Sequence, residues 1–286
     1  ALAMRVQTSN IQEIAMETLD SGPRLSLENS GLSKGDALVF NLLGEGLRKE
    51  TNKPEDKWKS TACNLKSAGY RYITKKNSDG VEVEFLQFGF QLFDPLTHWQ
   101  YCELNVQFDK DGDGLAAFEL AGMSAETVPG ITAASFASYL LDAGIARGIR
   151  LAFEDKIRLG LPVSTPNYAP SVMSVAEMLL YEPSTIAAME VEVSKLGIAE
   201  RSVAIKVAVL HGDTSNNMEA DDFLSDAWST LTLDSNAQAY KGMPLVTELV
   251  AGATASLNLT RGTGTEALVL YFPNNVSGSD SLILHQ

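Results

Sequence analysis

The stretch 69–90, GYRYITKKNSDGVEVEFLQFGF, gives the clearest indication of the fold class. Apolar and polar residues alternate over 69–73, a polar run ending in Asp79-Gly80 follows, and alternation resumes at Val81. Alternation with period two is typical of a strand with one buried face. A short Asp-Gly turn between two such runs predicts a β-hairpin.

The same alternation recurs outward along the chain and predicts an all-β protein. Strand-like runs occur at 24–28, 37–43, 101–108, 185–193, 203–210 and 266–272, whereas 143–159 has apolar residues at helical spacing. We expect a β-sandwich of the Ig-like or jelly-roll type, in one module or two, with one helix near 143–159. Residues 62–230 are the predicted core of the sandwich. Residues 1–61 and 231–286 are flanking strands that either complete it or form a second small β-sandwich.

Charge and composition argue against two classes of partner. The formal net charge is −14, so the chain would repel the phosphate backbone of a nucleic acid. No stretch reaches the roughly 20 apolar residues of a membrane-spanning helix. With 45% hydrophobic residues, the chain can bury a core. We therefore expect a globular protein with no nucleic-acid partner and no membrane span.

One loop carries a metal-binding pattern. The sequence 108–120, FDKDGDGLAAFEL, places carboxylates at Asp109, Asp111 and Asp113. Alternating carboxylates on a glycine-containing turn suit the hard, oxygen-seeking Ca²⁺ ion. The main-chain carbonyl of Leu115 and water would complete the coordination. The alternative is a solvated acidic turn without an ion.

The loop departs from an EF-hand. Counting Asp109 as position one puts Gly114 at position six, as that motif requires, but Leu120 stands where the bidentate glutamate belongs. Glu119 is one residue too early, and the preceding segment alternates like a strand where an EF-hand has a helix. We expect a strand-flanked calcium loop of modest affinity. A second acidic stretch, 213–222, lacks regular spacing and is expected to be a solvated loop rather than a cation site.

No motif in the sequence singles out a catalytic site. The histidines His98, His211 and His285 have no metal-site spacing. The stretch 31–35 (GLSKG) matches the serine-hydrolase pattern GxSxG in letters, but we interpret its glycines as ordinary turn glycines. The phosphate-binding patterns GxGxxG and GxxxxGK(S/T) are absent. A carboxylate pair for glycoside hydrolysis stays open among 36 acidic residues, although nothing singles out one pair. We expect a chain without catalytic residues.

The cysteines and the aromatic residues leave alternatives open. Cys63 and Cys102 form either one disulfide, as in a secreted protein, or two buried thiols. Tyr70 and Tyr72 are expected in the core. Trp58, in a charged loop, is the candidate for an exposed contact with a sugar or a protein partner.

Four segments together resemble a known module. They are 63–71 (CNLKSAGYR), 86–90 (LQFGF), His98-Trp99 and 103–114 (ELNVQFDKDGDG). In this order they are similar to the C-terminal β-sandwich modules of secreted bacterial subtilisin-like serine proteases. The segments 185–198 and 203–207 are similar to the paired strands that follow in those modules. The resemblance covers residues 62–230 and departs at Ala117, where those modules often carry Asp before the aromatic residue.

The resemblance implies a non-catalytic, calcium-stabilised accessory domain of a secreted subtilisin-like protease. Such a domain would stabilise the parent or bind a protein or surface substrate. Its partners would be the parent catalytic domain and a protein or polysaccharide substrate, with Ca²⁺ bound and an extracellular location. A free-standing secreted carbohydrate- or surface-binding module or adhesin shares the fold and is the alternative. A hydrolase with a carboxylate pair is the third interpretation.

Overall fold

The structure is a computed structural model that describes residues 9–48, 64–76, 79–96, 102–125, 128–130, 136–164, 166–180, 184–198, 201–211, 222–225, 227–234, 237–241, 245–272 and 280–285. In these ranges the strands are β1 Ile11–Leu19, β2 Gly22–Asn29, β3 Gly35–Glu45, β4 Leu65–Lys76, β5 Glu82–Leu96, β6 Cys102–Asp109, β7 Phe118–Ser124, β8 Phe136–Asp142, β9 Val172–Ala176, β10 Met178–Leu180, β11 Ser184–Glu192, β12 Ser202–His211, β13 Asp222–Phe223, β14 Ser229–Thr232, β15 Leu245–Leu249, β16 Thr254–Asn258, β17 Glu266–Phe272 and β18 Ser281–His285. The described helices are α1 (Ala143–Arg158) and two 3-10 turns, Ala169–Ser171 and Val193–Leu196.

The strands form three antiparallel sheets, and two of these sheets pack face to face. The larger has eight strands in the order β10-β11-β5-β4-β3-β17-β18, with β15 beside β3. The facing sheet has seven strands in the order β13-β12-β6-β7-β8-β9, with β14 beside β12. Side chains of β4, β5 and β11 meet those of β6, β7, β8 and β12 in a central core. The predicted all-β, sandwich-type fold is confirmed.

The hairpin predicted at 69–90 lies at the centre of the larger sheet. β4 pairs with β5 so that Tyr70 lies opposite Phe88 and Tyr72 lies opposite Leu86. These four side chains face the seven-stranded sheet and are buried in the central core. Apolar and polar residues therefore alternate because one face of the hairpin packs in that core. The expectation that Tyr70 and Tyr72 lie in the core is confirmed.

The opposite face of the larger sheet is also buried, because the sheet curls. In a flat sheet β5 and β18 would stand about 19 Å apart, four strand spacings. Instead, Ser281 Oγ on β18 donates a hydrogen bond of 2.6 Å to Gln91 Oε1 on β5. A Cβ atom at Gly89 would lie 2.7 Å from Leu270 Cδ1, so this glycine lets the side chains of β17 reach β5. Apolar side chains of β3, β11 and β17 fill the curl.

The two ends of the chain contribute strands to two sheets. β3, β15, β17 and β18 belong to the same sheet as the central hairpin. β1, β2 and β16 form the third sheet, which packs Leu25, Leu27 and Leu257 against β3 and β17.

The expected pairing of 185–198 with 203–207 is wrong. β11 lies beside β5 in the larger sheet, whereas β12 lies beside β6 in the facing sheet. The 3-10 turn Val193–Leu196 and Gly197, which has a φ of 56°, lie between the two strands. Both strands place alternate apolar side chains in the same core from opposite sides. A period-two pattern is the same for opposed strands as for paired ones.

The helix predicted at 143–159 is confirmed as α1, which covers the outer face of the seven-stranded sheet. Its N-cap is Asp142, whose Oδ1 accepts a hydrogen bond of 2.9 Å from the Ile145 amide. Ala146 and Ile149 pack on the outward side chains of β7 and β8, among them Tyr139. Within the described residues no helix combines the length and the apolar character needed to cross a membrane.

Candidate metal centre at the β6–β7 turn

The aspartate loop connects two neighbouring strands of the seven-stranded sheet. Phe108 of β6 and Phe118 of β7 form the pair that lies next to the loop. The Ala117 amide also donates a hydrogen bond of 2.8 Å to the Phe108 carbonyl. β6 lies between β7 and β12, with Asp109 opposite Ala204 of β12. β12 therefore holds the first residue of the loop on one side, directly after the last pair between β6 and β7.

Asp109 organises the turn. Its side chain is buried, with 4% of the residue exposed. Its Oδ1 accepts a hydrogen bond of 2.7 Å from the Gly112 amide, and its Oδ2 accepts one of 2.9 Å from the Gly114 amide. Both glycines have positive φ angles, 74° and 85°, which other residues adopt only with strain. The glycines let the main chain wrap around the Asp109 carboxylate.

The other two aspartates lie on the exposed part of the same turn. Asp111 Oδ1 accepts from the Asp113 amide at 3.4 Å, and Asp113 Oδ1 accepts from the Leu115 amide at 2.7 Å. One carboxylate oxygen from each of the three aspartates lies within 4.8 Å of the others. Oxygens at this separation can bind one cation after small side-chain rotations, because Ca²⁺–oxygen distances are about 2.3–2.6 Å.

The sequence-predicted ligands fall into two groups. The structure brings together Asp109, Asp111 and Asp113. Leu115, expected to contribute its carbonyl, follows them with an exposed side chain, and its coordination role stays a prediction. The only cation inside the loop, Lys110, places its ammonium 5.7 Å from the ring centroid of Phe118. In the part of the chain that the structure describes, no ion pair joins Lys110 to the three carboxylates.

A largely buried ion network beside the loop holds α1 on the sheet, and sequence reasoning missed it. Arg150 of α1 donates two hydrogen bonds to the Glu119 carboxylate, at 3.0 and 2.6 Å, and one to Glu103 at 3.2 Å. Asn105 Nδ2 donates to Glu103 at 3.0 Å. Glu119, one residue too early for an EF-hand, therefore forms its ion pair with Arg150 of the helix and is not a ligand of the loop.

The network also perturbs two pKa values. Burial by itself would lower the pKa of Arg150, but the carboxylates of Glu103 and Glu119 outweigh that effect and raise it above its ordinary value. Burial raises the pKa of Tyr168 to about 12, and the charge of Glu103 adds to this shift. Arg150 is therefore a permanent cation beneath the helix.

A disulfide lies at the other end of β6. Cys102, the first residue of β6, is disulfide-bonded. The chain has one other cysteine, Cys63, two residues before β4 begins. Cys63 is therefore the partner that the sequence offers within the chain, and the alternative of two free thiols is wrong.

The remaining candidates do not join the aspartate loop. His285 Nδ1 lies 2.8 Å from Glu266 Oε1 in an exposed pair on β18 and β17, and His211 ends β12. Trp58, His98 and most of the acidic stretch 213–222 lie outside the described residues.

Comparisons of the chain with protein-family models, with curated proteins and with solved structures found no match. The resemblance to protease accessory modules stays a prediction based on the sequence segments that carry it.

Proposed function

We propose that this chain is a non-catalytic, calcium-stabilised accessory domain of a secreted subtilisin-like protease. It would stabilise the parent or hold a polypeptide or surface substrate near the catalytic domain. The observation that carries the calcium assignment is the convergence of Asp109, Asp111 and Asp113 on one turn, with oxygens within 4.8 Å. Three hard carboxylate ligands on a strand-flanked loop favour Ca²⁺ over softer metals.

The role of the ion is structural in this proposal. Asp109 is buried and fixed by the main chain, whereas Asp111 and Asp113 are exposed and repel each other without a cation. Binding would draw the exposed part of the turn onto the fixed carboxylate. The ion would thereby close the end of the β6–β7 hairpin rather than take part in a reaction.

The disulfide of Cys102 supports the extracellular assignment. Disulfides persist in oxidising compartments and are rare in the cytosol. A net charge of −14 also suits a protein exposed to millimolar cations. Neither observation distinguishes a protease module from another secreted protein, so the family assignment depends on the sequence resemblance.

Thermal unfolding in low salt tests the calcium assignment. Three carboxylates without a bidentate anchor suggest a Kd of about 0.1–1 mM, the range of extracellular calcium modules. At 10 mM Ca²⁺ the stabilisation relative to EGTA would then be about 1.4–2.7 kcal/mol. For a chain of this size that amounts to a Tm increase of about 3–5 °C.

Two controls make this measurement specific. Magnesium at the same concentration is expected to raise the Tm less, because it prefers a smaller octahedral site. Asp111→Asn should abolish the calcium response, whereas Asp20→Asn, in the exposed β1–β2 turn, should leave it intact. Equal shifts with both ions, or an unchanged response of Asp111→Asn, would reject the site.

The protease assignment has its own test, which is the coding DNA upstream of Ala1. An in-frame domain with the serine, histidine and aspartate of a subtilisin-like protease would support it. An upstream reading frame that encodes a different kind of domain would reject it.

A further inference from the structure

An open cleft lies at one side of the sandwich, away from the aspartate loop. Its volume is about 450 Å³, within the range of pockets that hold ligands. One wall is β9, and the other consists of the ends of β4, β5 and β11 with the 3-10 turn that follows β11. Three lysines, three glutamates and Phe85 line it, so its formal charge is zero in a chain of net charge −14.

The β9 wall presents main-chain groups to the cleft. Four consecutive residues, 174–177, line it. Successive side chains of a strand point to opposite faces, so a consecutive run lines a cleft along its main-chain edge. β9 is the last strand of its sheet and, in the described part of the chain, pairs with β8 alone. Alternate N–H and C=O groups of such an edge strand are free to pair with another chain.

The opposite wall is pre-formed. Glu190 of β11 is buried, and its carboxylate accepts hydrogen bonds from Lys75 Nζ at 2.5 Å and from Gln87 Nε2 at 2.7 Å. The Lys75 ammonium also lies 4.5 Å from the ring centroid of Phe85. The side chains at the base of the cleft therefore satisfy one another and keep their positions whether or not a ligand is bound.

The exposed charges at the rim favour a polypeptide over a polysaccharide. Lys76, Lys195 and Glu177 are exposed and line the cleft, which suits a ligand with side chains of both signs. Sugar rings need an open aromatic face, but Phe85 is 7% exposed and lies under Lys75. The neutral cleft also avoids the repulsion that the rest of this acidic surface imposes on acidic segments.

We propose that the cleft binds an extended polypeptide segment by strand addition to the free edge of β9. Lys76, Lys195 and Glu177 would contact the charged side chains of that segment. β9 has five residues and an edge of about 17 Å, which accommodates about five residues of an extended chain. This inference rests on the proposed role in holding a polypeptide substrate and assigns that role to a surface.

Fluorescence anisotropy with fluorescein-labelled β-casein, an unfolded polypeptide, tests the cleft. The buffer contains EGTA, so binding does not depend on the calcium site. The variant Lys76→Glu/Lys195→Glu should weaken binding by about tenfold or more, because it reverses both rim cations. Arg147→Glu/Lys156→Glu changes two exposed cations of α1 by the same charge and should alter binding less than about twofold. Equal Tm values confirm that both variants are folded.

Hydrogen exchange distinguishes strand addition from binding by charge alone. Saturating β-casein should slow the hydrogen exchange of the β9 amides in the cleft. The hydrogen exchange of amides in β1, another edge strand, should stay unchanged. The proposal is overturned if β-casein does not bind, if both double variants weaken binding equally, or if bound β-casein leaves β9 exchange unchanged. It is also overturned if the cleft variant loses retention on insoluble cellulose or chitin but still binds β-casein.

The outcomes separate this inference from the calcium assignment. A protein that gains stability from calcium but does not bind β-casein would reject the cleft alone. A protein that binds β-casein through the cleft but shows no calcium response would reject the metal centre alone.

Discussion

Replacing Asp109 with asparagine should destabilise the protein even when no calcium is present. The buried carboxylate accepts two main-chain hydrogen bonds, from Gly112 and Gly114. Asparagine keeps one acceptor oxygen and turns an NH₂ group towards the other amide. A hydrogen bond to a charged acceptor contributes about 1.5–3 kcal/mol, so the loss of one should lower the free energy of unfolding by that amount. The corresponding decrease in Tm is about 3–6 °C.

Asp113→Asn is the matched variant, since it removes the same charge from the same loop. Asp113 is exposed, and its one hydrogen bond, from the Leu115 amide, can be replaced by water. Its free energy of unfolding in EGTA should stay within about 0.5 kcal/mol of the wild type. Urea unfolding in EGTA followed by circular dichroism measures both variants, and with 10 mM Ca²⁺ both should lose the calcium response.

The result that refutes the first step is wild-type stability of Asp109→Asn in EGTA. The carboxylate would then not organise the turn. Equal destabilisation by both variants would show that the loop responds to charge rather than to the two main-chain hydrogen bonds. An Asp109→Asn protein with an undiminished calcium response would remove Asp109 from the ligand set.

Arg150→Met should lower the free energy of unfolding by about 3–5 kcal/mol, since it leaves the buried Glu119 carboxylate without a counter-charge. An equal loss in Arg147→Met, on the exposed side of α1, would contradict this explanation. Reduction with dithiothreitol should lower the free energy of unfolding by about 4 kcal/mol, because the disulfide of Cys102 closes a loop of about 40 residues. An unchanged urea midpoint after reduction would refute it. Burial raises the pKa of five of the eight tyrosines above its ordinary value of 10: Tyr70, Tyr72, Tyr139, Tyr168 and Tyr271. Their contribution to stability is complete below pH 10 and is lost as the pH rises through the raised pKa values, which are about 12 for Tyr72 and Tyr168. Ionisation of all eight near pH 10 in a folded protein, followed at 295 nm, would contradict that.

The elements that the sequence predicts well are those whose pattern has a local cause. The hairpin at 69–90 alternates because one face enters the core and an Asp-Gly turn separates the two strands. The helix at 143–158 is recognisable because its apolar residues follow helical spacing and Asp142 caps its first turn. The aspartate loop is recognisable because glycines at two alternate positions permit the turn that brings the three carboxylates together.

The features that sequence reasoning missed depend on which surfaces meet. Glu103 and Asn105 occupy alternate positions of β6 and have the pattern of a solvated face. That face is covered because α1 lies on it. Arg150 of α1 then supplies the positive charge that pairs with Glu103 of β6 and Glu119 of β7. One signal was available, because an amphipathic helix in an all-β protein needs a sheet face to cover. Nothing local indicates which face, just as nothing local indicates that β11 and β12 belong to opposite sheets.

The disulfide and the aspartate loop act on the two ends of one strand. β6 spans eight residues, about 27 Å, from Cys102 to Asp109. β6 lies inside its sheet and is hydrogen-bonded to β7 on one side and to β12 on the other. Local opening of the sandwich is therefore easiest at the ends of β6, where fewer of these inter-strand hydrogen bonds must break. The disulfide restrains the end at Cys102, and a cation at the other end would close the turn into β7. The two devices therefore restrain different openings, and their effects on stability should be nearly additive because the length of β6 separates them.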